Sequence, residues 1–166
     1  SIVYSNPNNP SWICLTDNEL RIIAEMANKY DVIVAEDLAY FGMDFRQDIS
    51  TPGKAPFQAT VAKYTDNYVL FMSSSKAFSY AGERLGVMVI SDKLFKGHYP
   101  DLVENFGTDS LGRAIVYGSV YALSSGTAHS AQYAMAAIFK ACNDGKYHLV
   151  VGMKEYADKA HEVKKM

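Results

Sequence analysis

The chain has 166 residues, of which 49% are hydrophobic and 20% are charged, a composition typical of one globular domain and not of a disordered segment. Its formal net charge of −2 gives no electrostatic reason to expect nucleic acid or an anionic membrane as a partner. No apolar run approaches the roughly 20 residues that span a bilayer, and Cys14 and Cys142 show neither metal spacing nor a disulfide framework. We therefore expect two free thiols and a cytoplasmic location.

The N-terminal part of the chain combines a short apolar run with turn and helix patterns. The β run IVYS leads into the turn-rich NPNNPS, where proline and asparagine favour bends. Thr16 and Glu19 form a capping box, which predicts the start of a helix that ends near Tyr30. The apolar residues of this helix recur at helical spacing and are Leu20, Ile23, Ala24 and Ala27.

Three further apolar runs predict buried strands, namely DVIVAED, YVLFMSS and LGVMVIS. Beyond Asp92 helical patterns predominate, separated by glycines. The four predicted helices span roughly 92–106, 111–124, 129–143 and 147–165. Because strands alternate with helices, we predict an α/β fold, a three-layer αβα arrangement with a mostly parallel sheet, in a single domain over residues 1–166.

Polar residues follow each of the first three predicted strands, at the edge where ligands gather in such sheets. They are Asn6 to Pro10 after the first strand, Asp37 and Tyr40 after the second, and Ser73 to Lys76 after the third, with Arg84 further on. A lysine can condense with an aldehyde, and hydroxyls with an arginine suit a phosphate. An aspartate can keep a ring nitrogen protonated, while asparagine and tyrosine can bond a phenolic oxygen. Pyridoxal 5′-phosphate needs all of these partners together.

The stretches NPNNPSW, DLAY and SSSKAFSYAGERLG resemble the successive cofactor motifs of the class I/II (fold type I) pyridoxal-phosphate-dependent aminotransferases. The family pattern is approximately NPxNPTG, then DxxY, then SxSK with an arginine eight residues after the lysine. Order and separation are similar, and the resemblance covers nearly the whole chain. It implies the central part of the large, cofactor-binding domain, with a helix at about 147–166 that leads toward a small domain.

The resemblance implies seven cofactor-binding residues, which are Asn9, Asp37, Tyr40, Ser73, Ser75, Lys76 and Arg84. Lys76, Asp37 and Tyr40 are also the implied catalytic residues. Lys76 is the lysine that forms the Schiff base, Asp37 pairs with the pyridinium nitrogen, and Tyr40 and Asn9 flank the 3′-oxygen. Glu36 neighbours Asp37, but the DxxY spacing favours Asp37 and leaves Glu36 as a supporting or solvent-facing residue.

The phosphate is the implied partner of Ser73, Ser75 and Arg84. Ser75 is preferred to Ser74, although both serines are also compatible with a simple turn. The four histidines show no ligand spacing on one strand or helix face, so no metal site is expected.

One departure from the family pattern lies within the first motif. The family usually has Thr-Gly after NPxNP, whereas this sequence has Ser11 and Trp12. The change alters the backbone freedom of the turn and places an indole near the approach to the cofactor. We therefore expect an unusual substrate preference.

The resemblance implies transfer of an amino group from an amino acid to a 2-oxo acid, by a homodimer of the full-length protein. Two alternatives stay open: a C–S lyase or decarboxylase that uses the same cofactor and fold, and a non-catalytic aminotransferase-like module. Family members are longer, and their small domain supplies the arginine that binds the substrate carboxylate. We therefore expect residues 1–166 to be a fragment that is inactive alone.

Overall fold

A four-stranded sheet forms the centre of the N-terminal half of the chain. The computed structural model describes residues 1–49, 53–148 and 151–166. The strands lie side by side in chain order as β1 (Ile2–Ser5), β2 (Val34–Asp37), β3 (Tyr68–Ser73) and β4 (Gly86–Ile90). β1 and β2, and β2 and β3, pair in parallel, whereas β4 runs antiparallel to β3. The predicted α/β class with a mostly parallel sheet is confirmed.

Helix α1 (Asp17–Tyr30) covers one face of this sheet. The Thr16 hydroxyl accepts a hydrogen bond from the backbone N–H of Glu19, and the Glu19 carboxylate accepts one from the backbone N–H of Thr16 at 2.8 Å. The predicted capping box is therefore confirmed. Removing the apolar side of α1 from water stabilises the fold by roughly 25 cal/mol per Å² buried. The α1 residues in this core are Leu20, Ile23, Ala24 and Ala27.

Alternation along β2 places Glu36 on the face that α1 covers and Asp37 on the opposite, exposed side. The buried Glu36 carboxylate accepts hydrogen bonds from the side-chain amide of Asn6 at 3.1 Å, the Thr60 hydroxyl at 2.5 Å and the backbone N–H of Val61 at 3.0 Å. Three donors offset the cost of burying a carboxylate. The prediction that Glu36 supports its neighbours fits this placement, and the solvent-facing alternative is wrong.

The continuous helix predicted over 92–106 is wrong. The chain instead forms α2 (Asp92–Phe95), a 3-10 turn (Pro100–Leu102) and α3 (Val103–Phe106). Tyr99 is extended, with φ −132° and ψ 100°, because the ring of a following proline disfavours helical geometry in the residue before it. Pro100 therefore starts a new helical turn, whereas α2 has already ended at Phe95.

The other helical elements follow the predicted ranges more closely. A continuous helical stretch consists of α4 (Leu111–Arg113), a π-helical segment (Ala114–Tyr121) and α5 (Ala122–Ser124), followed by α6 (His129–Asn143). Residues 147–148 of the last predicted helix are not helical, and its described part consists of a 3-10 turn (Val151–Met153) that leads into α7 (Lys154–Lys165). Residues 149–150 of that prediction lie outside the described residues. Within the described ranges, no helix combines the length and apolarity needed to cross a membrane.

Helix α6 packs against the segment that connects β3 and β4. Its buried Ala131 and Met135 contact Leu85 of that segment. The rings of Phe78 and Phe139 meet edge to face with centroids 5.5 Å apart, an arrangement that aromatic pairs prefer. The segment contains Lys76 and Arg84 of the third motif, so α6 helps to position that motif.

Candidate active site

The carboxyl ends of β1, β2 and β3 lie side by side. Ser5 pairs with Asp37 in the sheet register, and Asp37 pairs with Phe71. The backbone N–H of Asn6 donates to the Asp37 carbonyl at 2.9 Å, and that of Leu38 donates to the Phe71 carbonyl at 2.7 Å. The three segments that carry the motifs therefore start at one edge of the sheet, where ligands bind in folds of this class.

One residue from each motif meets at the ring of Tyr40. The side-chain amide of Asn9 donates to the Tyr40 hydroxyl at 2.8 Å. The Lys76 Nζ atom lies 5.8 Å from the centroid of the Tyr40 ring, within the range at which a cation is attracted by the ring. The Lys76 side chain is otherwise exposed. An accessible amine is thus held beside a half-buried aromatic ring.

The loop after β3 brings together the three residues predicted to bind phosphate. The backbone N–H of Ser75 donates to the Ser73 hydroxyl at 3.1 Å, and Arg84 Nη1 lies 3.5 Å from the Ser75 hydroxyl oxygen. Arg84 also donates to the Ala81 carbonyl at 3.2 Å. Its other guanidinium N–H groups have no partner in the described part of the chain and are exposed. Hydroxyls and an open guanidinium form a suitable environment for an anion.

Ser74 differs from the serines on either side of it. Its side chain is buried, and its hydroxyl donates to the Tyr80 carbonyl at 3.0 Å. The backbone N–H of Tyr80 donates back to the Ser74 carbonyl at 3.0 Å. These two bonds close the loop that presents Lys76. Ser75, and not Ser74, has its hydroxyl next to Arg84.

Three non-glycine residues with left-handed backbone conformation lie in the motif segments: Trp12 at φ 56°, Ser79 at φ 50° and Arg84 at φ 52°. Such a conformation costs roughly 1–3 kcal/mol for each residue, and it persists where surrounding contacts impose it. Strain of this kind concentrates at functional sites. In this chain the strained residues lie in the first motif (Trp12) and in the third motif (Ser79 and Arg84).

Asp37 lies at the same sheet edge but is separate from these contacts. Its Oδ1 atom accepts a hydrogen bond from the backbone N–H of Ala39 at 2.9 Å, which stabilises the turn toward Tyr40. Among the residues that the structure describes, its carboxylate makes no side-chain hydrogen bond. The structure thus brings Asn9, Tyr40 and Lys76 together in one group. It brings Ser73, Ser75 and Arg84 together in a second group. The Asp37 carboxylate belongs to neither group and is exposed at the end of β2, between the first and third strands.

Sequence reasoning did not identify the neighbouring segment 42–49 as part of this region. The indole of Trp12 stacks on the ring of Phe45 with centroids 5.8 Å apart and an interplanar angle of 23°. The same indole meets the Tyr40 ring at 5.4 Å and 68°. Phe45 belongs to no motif, and the one sequence feature that points to it is its position shortly after DLAY.

An ion pair fixes this segment beside the first motif. Arg46 donates to the Asp44 carboxylate from Nε at 2.8 Å and from Nη2 at 2.6 Å, and its Nη1 donates to the Cys14 carbonyl at 2.8 Å. Burial opposes ionisation of Asp44, but the hydrogen bonds and charge of Arg46 lower the pKa of this carboxyl below its usual value. Burial and the nearby Asp44 carboxylate raise the pKa of the Cys14 thiol to about 11, so this free cysteine is a weak nucleophile.

The donor set fits the groups of pyridoxal 5′-phosphate. Lys76 offers an amine to the aldehyde, and Arg84 with two serine hydroxyls offers donors to the phosphate. Asp37 offers an exposed carboxylate for a protonated ring nitrogen, and the hydrogen-bonded pair of Asn9 and Tyr40 offers polar groups for a phenolic oxygen. Each chemical requirement of the molecule has a counterpart at this edge of the sheet.

The curated relatives of this chain are aminotransferases. It is 26% identical over 104 residues to a probable aspartate aminotransferase of Methanocaldococcus jannaschii, a match that covers 63% of this chain and 25% of that protein. It is 37% identical over 84 residues to the glutamate-pyruvate aminotransferase AlaC of Escherichia coli, covering 50% of this chain and 19% of the relative. The chain thus spans about a quarter or less of the length of these relatives.

Solved structures show the same fold over almost the whole chain. The N-succinyldiaminopimelate aminotransferase from Mycobacterium tuberculosis superposes with a TM-score of 0.65 at 17% identity, covering 98% of this chain and 36% of that protein. The family described as aminotransferase class I and II matches residues 1–156. The chain therefore belongs to the class I and II aminotransferase family.

Proposed function

We propose that this chain provides the cofactor site of a pyridoxal-phosphate-dependent aminotransferase, which transfers an amino group from an amino acid to a 2-oxo acid. The observation that carries the proposal is the meeting of Asn9, Tyr40 and Lys76, one residue from each of three separate motifs, around a single ring. Membership of the aminotransferase family supports the same conclusion.

The seven predicted residues would hold the cofactor by complementary contacts. When bound, pyridoxal phosphate supplies an electron sink for the charge that develops at the substrate Cα atom. Lys76 would bind the aldehyde, and its Nζ atom, once released, would take the proton from the substrate Cα as a general base. Asp37 would keep a proton on the ring nitrogen. Arg84 and the serines would orient the molecule through its phosphate.

The same residues suit other reactions of amino acids, such as C–S elimination and decarboxylation, and a non-catalytic module could retain them. The names of the relatives favour amino-group transfer, because both curated relatives described above are named as aminotransferases. The homodimer, the cytoplasmic location and the inactivity of residues 1–166 alone remain predictions from composition and resemblance.

Covalent trapping tests the proposal directly. We expect the full-length protein with pyridoxal phosphate to show an absorbance band near the visible edge that disappears on borohydride treatment, with the cofactor mass then attached to Lys76. Lys96, which is exposed directly after α2 and paired with Asp92 at 2.6 Å, is the internal control and should carry no added mass. Absence of the band, or attachment to other lysines instead of Lys76, would show that the proposal is wrong.

Arg84→Ala should weaken cofactor affinity by about 10- to 100-fold, because hydrogen bonds to charged groups contribute about 1.5–3 kcal/mol. Alanine and arginine are similarly strained at the left-handed φ of 52°, so the substitution should change the free energy of unfolding little. Titration of the apoprotein with pyridoxal phosphate, followed by absorbance, measures the effect. Arg113→Ala, which removes another exposed arginine on α4, should leave the affinity unchanged. Equal affinities of parent and Arg84→Ala would contradict the phosphate role.

A further inference from the structure

Trp12 occupies a position where the family pattern has glycine, and it adopts the backbone conformation that favours glycine. Its φ is 56°, in the left-handed region where a side chain costs free energy that glycine avoids. The chain therefore retains an indole at a position where glycine would be less strained. Its backbone N–H donates to the Asn8 carbonyl at 2.8 Å, and contacts of the ring add to the interactions that hold the residue in this conformation.

Two aromatic contacts fix the indole beside the candidate active site. The ring stacks on Phe45 at 5.8 Å and meets Tyr40 edge-on at 5.4 Å. Lys76 Nζ lies 5.8 Å from the centroid of the same Tyr40 ring. The indole and the amine that would bind the cofactor thus lie against one aromatic ring. Trp12 keeps 39% of its surface exposed, so part of the indole is open to a bound molecule.

The nearest cation on the neighbouring segment is not available to a substrate. The Arg46 guanidinium donates to both oxygens of Asp44, to the Cys14 carbonyl and, at 3.4 Å, to the Leu15 carbonyl. Asp44 is itself buried and paired. A carboxylate on a substrate side chain would therefore find aromatic surface here and, within segment 42–49, a cation that is already paired. An aromatic side chain would find a partner for stacking.

We propose that Trp12 and Phe45 form an apolar wall that receives the side chain of the amino-acid substrate and favours aromatic side chains over those that carry a carboxylate. This inference rests on the proposed function and names the substrate class of the same site. Trp12 acts as a specificity-determining residue. The hydrogen bond from its backbone N–H to the Asn8 carbonyl and the ring contacts that build the wall together offset its cost in backbone strain.

A comparison of Trp12→Gly with Trp12→Phe in the full-length protein distinguishes the effect of the aromatic ring from the effect of the strained backbone. We expect the parent protein to have a higher kcat/KM for phenylalanine than for aspartate with one common 2-oxo acid. Trp12→Gly should lower this ratio about tenfold, the equivalent of one favourable aromatic contact. Trp12→Phe keeps an aromatic ring and the same strained φ, and it should retain most of the preference.

A second measurement does not depend on turnover. Trp12 is the single tryptophan of the 166 residues, so the difference in emission between the parent protein and Trp12→Phe isolates its signal from tryptophans elsewhere in a longer chain. Phenylpyruvate should change this difference emission by contacting the indole. Oxaloacetate at the same concentration should leave it unchanged.

The outcomes distinguish this inference from the proposed function. Trp12→Gly could leave the ratio of kcat/KM for phenylalanine to that for aspartate unchanged, while the borohydride-sensitive band and the mass on Lys76 persist. That result would contradict the substrate role of Trp12 and Phe45 and leave the aminotransferase proposal standing. An equal loss of the preference for phenylalanine in Trp12→Gly and Trp12→Phe would also contradict this role. So would an equal emission response to both oxo acids. Absence of the cofactor band from the parent protein would overturn both proposals.

Discussion

Lys76→Ala is expected to abolish covalent capture of pyridoxal phosphate and to lower turnover at least about 10²- to 10⁴-fold, the range that a general acid or base contributes. Alanine has no amine to condense with the aldehyde or to take a proton from the substrate Cα atom. The Lys76 side chain is exposed, and its described side-chain contact is with the Tyr40 ring at 5.8 Å. Its loss should therefore change the free energy of unfolding by less than about 0.5 kcal/mol.

This prediction is tested on the full-length protein by absorbance, by borohydride trapping and by turnover. The matched control is Lys96→Ala, which removes an exposed lysine at the C-terminal end of α2 together with its surface ion pair to Asp92. Such pairs contribute at most about 1 kcal/mol, so the control should fold and keep its band and turnover. A borohydride-sensitive band that survives in Lys76→Ala would show that another group binds the cofactor.

Local patterns were sufficient to predict most elements of this fold. The capping box at Thr16 and Glu19 and the apolar spacing that follows determine α1 through contacts within a few residues. The extended geometry of Tyr99, which separates α2 from the next helical turn, also has a local cause, since Pro100 disfavours helical geometry in the residue before it. The apolar pattern alone does not show that interruption.

Tertiary contacts account for what the sequence did not predict. Glu36 is buried because Asn6 and the 60–61 turn, both distant in the chain, supply donors to its carboxylate. Spacing alone cannot show that such donors converge. Trp12 was identified as a departure from the family pattern, but its stacking on Phe45 depends on how the segment 42–49 folds back onto the first motif. The order of motifs, by contrast, was sufficient to group Asn9, Tyr40 and Lys76 at one edge of a parallel sheet.

Asp37→Asn is expected to lower turnover by about 10²-fold or more, similar to the loss of one group that stabilises developing charge at an active site. An amide cannot hold a proton on the ring nitrogen as a carboxylate does. The substitution keeps an oxygen that can accept the hydrogen bond from Ala39 N–H, now 2.9 Å from Oδ1, and the side chain is exposed. The free energy of unfolding should therefore stay nearly unchanged in urea titrations.

Glu36→Gln is the matched control, because it makes the same chemical change one residue earlier, and it should give the opposite result. The buried Glu36 carboxylate accepts three hydrogen bonds, one on Oε1 and two on Oε2. A glutamine places an NH₂ group against at least one of these donors, so the free energy of unfolding should fall by about 1–3 kcal/mol. Turnover per folded molecule should be retained, since Glu36 faces α1 and not the site. The opposite pattern would be a loss of turnover in folded Glu36→Gln together with normal turnover in Asp37→Asn. It would mean that Glu36, and not Asp37, is the carboxylate that pairs with the ring nitrogen of the cofactor.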